Sequence, residues 1–118
     1  VHEQPGVLVK RGNEPDGGMS FLDGSERSVV ELPGEVSIGR GTYLPGWRWS
    51  QHARPLSGQD SQHHVGFIVS GRMCVQGNDG RKVEVGPGDA FVAEAGHDAW
   101  VLGEEPCVAL DLRTSTKH

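Results

Sequence analysis

The chain has 118 residues, 11 lysines and arginines against 16 aspartates and glutamates, a formal charge of −5, and 18 glycines. That length supports one modest core and one site, and with no block of basic residues to neutralise phosphates or anionic lipid, nucleic acid and membrane surfaces are not expected as partners. No apolar run approaches the roughly 20 residues needed to cross a bilayer, and no basic-then-apolar start reads as a signal peptide, so the expected location is the cytoplasm.

Residues 1–35, with "GNEPDGG" and "LDGSERS", are too polar and glycine-rich to form a domain and read as an N-terminal arm carrying one or two edge strands. From there apolar runs are cut at short intervals by glycine and proline, which predicts strands over 36–43, 64–70, 72–76, 82–85, 90–93, 99–102 and 107–112. The strongest turn is "GNDG" at 77–80, where Asp79 and Gly80 are expected to supply the positive φ angles of a tight hairpin. No segment has helical apolar spacing. The result is an all-β antiparallel domain over 36–113, a barrel or two-sheet sandwich, with 114–118 as a tail. Cys74 and Cys107 lie singly inside apolar runs, so they read as buried thiols, with neither a zinc pattern nor a disulfide framework.

Between about Gly39 and Leu112 the order of strands and glycines resembles the cupin family, small β-barrels or double-stranded jelly rolls whose two short motifs deliver metal ligands into the barrel mouth. The first motif runs glycine, five residues, histidine, any residue, histidine, a short spacer, glutamate, six residues, glycine. Here Gly46 precedes His52 at the first histidine place, Arg54 stands at the second, and His64, seven before Gly71, stands at the glutamate place. The spacer "PLSGQDSQH" at 55–63 is longer than the family's and reads as a loop insertion. In the second motif Gly88 and Gly96 fit, Glu94 replaces a proline, and Ala99 occupies the histidine place with His97 two residues before it, on the same strand face. "HVGFIVSGR" and "GHDAWVLGEEP" also look like a subgroup of single-domain bacterial cupins.

The resemblance implies a site. His52, His64 and His97 would converge as ligands of one divalent ion, Fe, Zn, Ni or Mn, since imidazoles suit these metals and three protein ligands leave open positions for catalysis. Gln62 and His63 are alternative ligands if the register slips across the insertion. The matching function is a metal-dependent cupin enzyme of dioxygenase or isomerase/lyase type acting on a small organic molecule. The alternative is a metal-free ligand-binding or sensory module, which the loss of ligands at Arg54 and Ala99 would suit.

Arg54 cannot coordinate a metal but can bind a substrate carboxylate, or else pair internally with Asp60 or Glu94. Asp98 either orients His97 through a second hydrogen bond or ends a strand. Asp60 and Glu94 are acid/base candidates. If residues 47–54 run as a strand with His52 inward, then Arg48, Ser50 and Arg54 share its side while Trp47, Trp49 and Trp100 point outward, which predicts a homodimer through exposed tryptophans. The opposite packing, with the tryptophans in the core, makes Trp49 a wall of the substrate pocket.

Overall fold

The computed structural model describes residues 6–59, 61 and 63–114, with only the backbone of His64. Among the described residues nine strands run β1 (Gly17–Ser20), β2 (Glu26–Leu32), β3 (Val36–Tyr43), β4 (His64–Ser70), β5 (Arg72–Gln76), β6 (Lys82–Val85), β7 (Ala90–Ala93), β8 (Asp98–Leu102) and β9 (Cys107–Thr114). They form a six-stranded sheet, β1-β2-β3-β9-β4-β7, and a three-stranded sheet, β6-β5-β8. All pairings are antiparallel. The two sheets close on one core, in which Tyr43, Ile68 and Cys107 of the larger sheet meet Met73, Val85, Ala99 and Val101 of the smaller. This is the antiparallel two-sheet arrangement expected from the strand pattern, and the jelly roll that the cupin resemblance implies. Residues 17–32 add two strands to it, β1 at the edge and β2 bonded on both sides. Among the described residues no helix is long and apolar enough to cross a membrane.

Two connections depart from the expected local structure. In the loop after β5 only Gly80 takes a positive φ, +87°. Asp79 instead turns its carboxylate back to accept the Arg81 amide at 2.9 Å, so the loop is longer than a two-residue hairpin.

The second departure shapes the site. After β3, Leu44-Pro45-Gly46-Trp47 makes a tight turn closed by the Trp47 amide on the Leu44 carbonyl at 3.0 Å, with Gly46 at φ +88°. Proline at the second and left-handed glycine at the third position is the type II signature. The chain then enters a π-helical turn (Trp49–Ala53) and one turn of α1 (Arg54–Ser57), which stops at Gly58, φ +68°. An alternating in-and-out pattern therefore does not apply to 47–54, and the tryptophan orientations inferred from it change. Trp47 is buried against Tyr43 and Phe21, with ring centroids 4.4 and 5.6 Å away, and Trp49 packs against the core. Arg48 and Ser50, expected inside, both bind Asp98. Of the three tryptophans only Trp100 faces outward, under the Arg48 guanidinium at 4.3 Å.

Candidate functional site

The inner face of the large sheet sets glycines against larger side chains in register: Gly39 opposite Asp111, Asp111 opposite Gly66, and Gly66 opposite Phe91. A β-carbon on Gly66 would run into the Phe91 ring, and one on Gly41 into the Tyr43 ring. These glycines let large side chains lie flat on the sheet and leave open space between the sheets. The space is a cavity of about 230 Å³. Its walls include Phe21, Tyr43, Trp47, Trp49, Met73 and Phe91, and its polar groups include Arg27, Ser61, His97, Asp111 and Arg113.

His97 is buried, and its Nδ1 lies 2.8 Å from the Glu94 carbonyl oxygen and 3.2 Å from Ser61 Oγ. A carbonyl only accepts, and the Ser61 hydroxyl donates its proton to the His97 carbonyl at 2.6 Å, so Nδ1 carries the ring hydrogen. The lone pair is therefore on Nε2. Asp98 does not do this orienting. Its carboxylate accepts from Arg48 Nε at 2.9 Å, from the Ser50 hydroxyl and amide at 2.8 and 3.0 Å, and from the Ala99 amide at 2.9 Å. Burial pushes the Asp98 carboxyl up, but these hydrogen bonds together outweigh it and hold the group below the ordinary carboxylate range.

The other expected ligands are placed differently. His52 lies in the π-helical turn, away from the cavity lining, and its Nδ1 accepts the Arg48 amide at 2.9 Å. That spends the lone pair of the neutral ring and leaves the hydrogen on Nε2. Arg54 is exposed at the start of α1, also outside the lining. His64 opens β4 opposite Ala93, with its side chain outside the described residues. Gln62 and Asp60 also lie outside them. His63 and Glu94 are exposed and 4.0 Å apart. Among the described residues no three His, Cys, Asp or Glu side chains gather closely enough to hold an ion. His52, its Nδ1 accepting the Arg48 amide, lies outside the lining that holds His97, so among the described residues these two expected ligands do not share one cavity.

The groups that the sequence reading missed are Arg27 and Asp111. Arg27 Nε and Nη2 donate to Asp111 Oδ2 and Oδ1 at 2.8 and 2.5 Å, a two-pronged ion pair with side-chain exposures of 19% and 15%. The pair crosses Gly39, where a β-carbon would stand 2.5 Å from Arg27 Nη2 and 2.7 Å from Asp111 Oδ1. Asp111 holds the Arg27 guanidinium above its ordinary value. Beside it, burial pushes the Tyr43 phenol up, Asp111 adds to the effect, and Arg27 and Arg113 oppose it.

Comparison with known proteins agrees with the fold. Residues 42–113 match the family described as Cupin domain. The structure of KdgF from Halomonas sp. superposes with a TM-score of 0.63 at 23% identity, covering 86% of this chain and 87% of that one. An RmlC-like cupin from Shewanella frigidimarina gives 0.66 at 15% identity, covering 95% and 94%. Lactobacillus farciminis oxalate decarboxylase, solved as a formate complex, gives 0.68 at 17% identity, covering 98% of this chain but 36% of that protein. No protein of curated function matches the sequence.

Proposed function

The chain belongs to the cupin family, and on that premise we propose that it binds one small organic molecule between its two sheets without a three-histidine metal centre. The observation that carries the reading is the cavity of about 230 Å³ walled by aromatic rings. Ligand sites are concave, mostly apolar and fixed by a few polar groups, and the volume lies below the roughly 300–1,000 Å³ usual for drug-sized ligands, so the occupant is compact. Trp47 and Trp49 line the cavity while Trp100 lies outside under Arg48, which supplies the test. In a fluorescence screen of small acids, amides and alcohols, a true ligand shifts emission in the wild type and in Trp100→Phe, and the shift shrinks in Trp49→Phe. A library that leaves emission unchanged, or a response that survives only through Trp100, would remove the reading.

A second reading rests on His97. An imidazole whose Nδ1–H is held by a backbone carbonyl, as Glu94 holds it here, is oriented as metal-ligating histidines are. His64, on the strand beside β7, is the ligand this reading adds. Such a metal would supply Lewis-acid or redox chemistry when bound. Elemental analysis decides: metal in the wild type that disappears in His97→Ala supports it, and equal, near-zero metal in both removes it.

We also propose a homodimer, through the outer face of the large sheet rather than the tryptophans. Val30, Ile38, Leu112, Val65 and Val92 stand in register across five strands. At about 4.8 Å per step the row is roughly 19 Å long. Val65, Phe67, Leu112 and Val92 are 41–60% exposed. Light scattering of the wild type and Val65→Glu should show a dimer and a monomer. A wild-type monomer of 12.7 kDa at micromolar concentration would refute it.

A further inference from the structure

The polar end of the cavity is unbalanced. Among the described residues two guanidinium groups, Arg27 and Arg113, and one carboxylate, Asp111, line it, a local excess of one positive charge in a chain whose formal charge is −5. Asp111 and Arg113 stand two residues apart on β9, on the same sheet face, and Arg27 is bonded to Asp111, which gathers the three in one part of the lining. The balance of hydrogen-bonding groups leans the same way. Of the five N–H donors of a guanidinium, Asp111 takes two from Arg27, which leaves three on the edge formed by Nη1 and Nη2.

We propose that this end of the cavity binds the carboxylate of a small organic acid, held on the outer edge of Arg27 with Arg113 beside it. Asp111 is the positioning residue. By gripping Nε and Nη2 over Gly39 it fixes the guanidinium plane, so that little side-chain entropy is lost when the second carboxylate docks. The acid's apolar part lies against the aromatic wall of Phe21, Tyr43, Trp49 and Phe91. The site takes acids because, among the described residues of the lining, two guanidinium groups stand against a single carboxylate, and that carboxylate is already engaged by Arg27.

This inference rests on the ligand-binding reading above, and the experiment separates the two. Calorimetric titration compares matched pairs, benzoate with benzamide, butyrate with butyramide and lactate with lactamide, on the full chain and on Arg113→Gln and Arg27→Lys. Arg113 is exposed, so its substitution leaves the fold intact. Arg27→Lys keeps the charge and loses the fork. The expected result is at least one acid bound about tenfold tighter than its amide, with the ratio falling severalfold in each variant. Amides bound as tightly as their acids would overturn the carboxylate site while leaving ligand binding standing. An acid preference unchanged in both variants would also overturn it, because the charge would then be read elsewhere. Failure of every acid and amide to bind would overturn both readings together.

Discussion

Substituting Gly39 with alanine tests whether the Arg27–Asp111 pair is built by the sheet or merely found on it. Gly39 has an ordinary extended backbone, with no positive φ, so alanine by itself would stabilise by about 0.4–1 kcal/mol through the unfolded chain. The added β-carbon, however, would stand 2.5 Å from Arg27 Nη2, 2.8 Å from its Cζ and 2.7 Å from Asp111 Oδ1. Both neighbours are side-chain ends that can move, but only by releasing each other. A hydrogen bond to an ionised group contributes about 1.5–3 kcal/mol. Two of them, discounted for the pair's partial exposure, come to about 2–3 kcal/mol. The net expectation is a loss of about 1.5–2 kcal/mol, or roughly 5–10 °C in Tm for a domain of this size. In an Arg27→Ala background the clash is gone, Asp111 can turn aside, and Gly39→Ala should be neutral or slightly stabilising, giving a coupling of about 2 kcal/mol in the cycle. Thermal and urea unfolding of the four proteins provide the measurement. If Gly39→Ala is as stable as the wild type, or costs the same with and without Arg27, the reasoning is refuted.

Other outcomes follow from burial and charge. Cys107 is fully buried and its thiol is pushed up to about 11, and burial raises Cys74 as well, so neither should react with a disulfide reagent near neutral pH until the chain unfolds. A thiol that titrates in the native state would contradict this. Tyr43 is the only tyrosine, and burial raises its phenol, so the ultraviolet tyrosinate signal should appear only with alkaline unfolding. A reversible native transition near the free value of about 10 would show that the ring is open to water. Asp98 is held below the usual carboxylate range, so it stabilises the fold above the unfolded value of about 3.9, and that contribution is lost as pH falls through the lower folded value. The stability gap between wild type and Asp98→Asn should therefore be steady from neutral pH to about pH 5 and close below about pH 4, read from urea midpoints. A gap independent of pH would assign it to packing.

What the sequence determined by itself is what local chemistry controls. Alternating apolar residues and frequent glycine and proline were enough for an all-β domain, because strand period and turn preference act within a few residues of chain. The seven strands expected from residue 36 onward all formed, two of them slightly longer than expected. Strand alternation over 47–54 turns all three tryptophans outward, but Trp49–Ala53 is a π-helical turn, so Trp47 and Trp49 join the core as in the alternative packing and only Trp100 stays outside. Only the tertiary structure could decide the site. Arg27 and Asp111 are 84 residues apart and meet because β2, β3 and β9 stack in a register that puts a glycine between them. Ser61 and His97, 36 apart, likewise meet only when the loop before β4 folds onto the turn before β8. No local pattern encodes such pairs: Arg27, Asp111 and Ser61 each read alone as ordinary surface groups, and the motif that singles out His97 says nothing of its partner. His52 makes the converse point, for it stands at a ligand's place in the motif, and a hydrogen bond from the Arg48 amide, made possible by the helical turn, gives its lone pair another use.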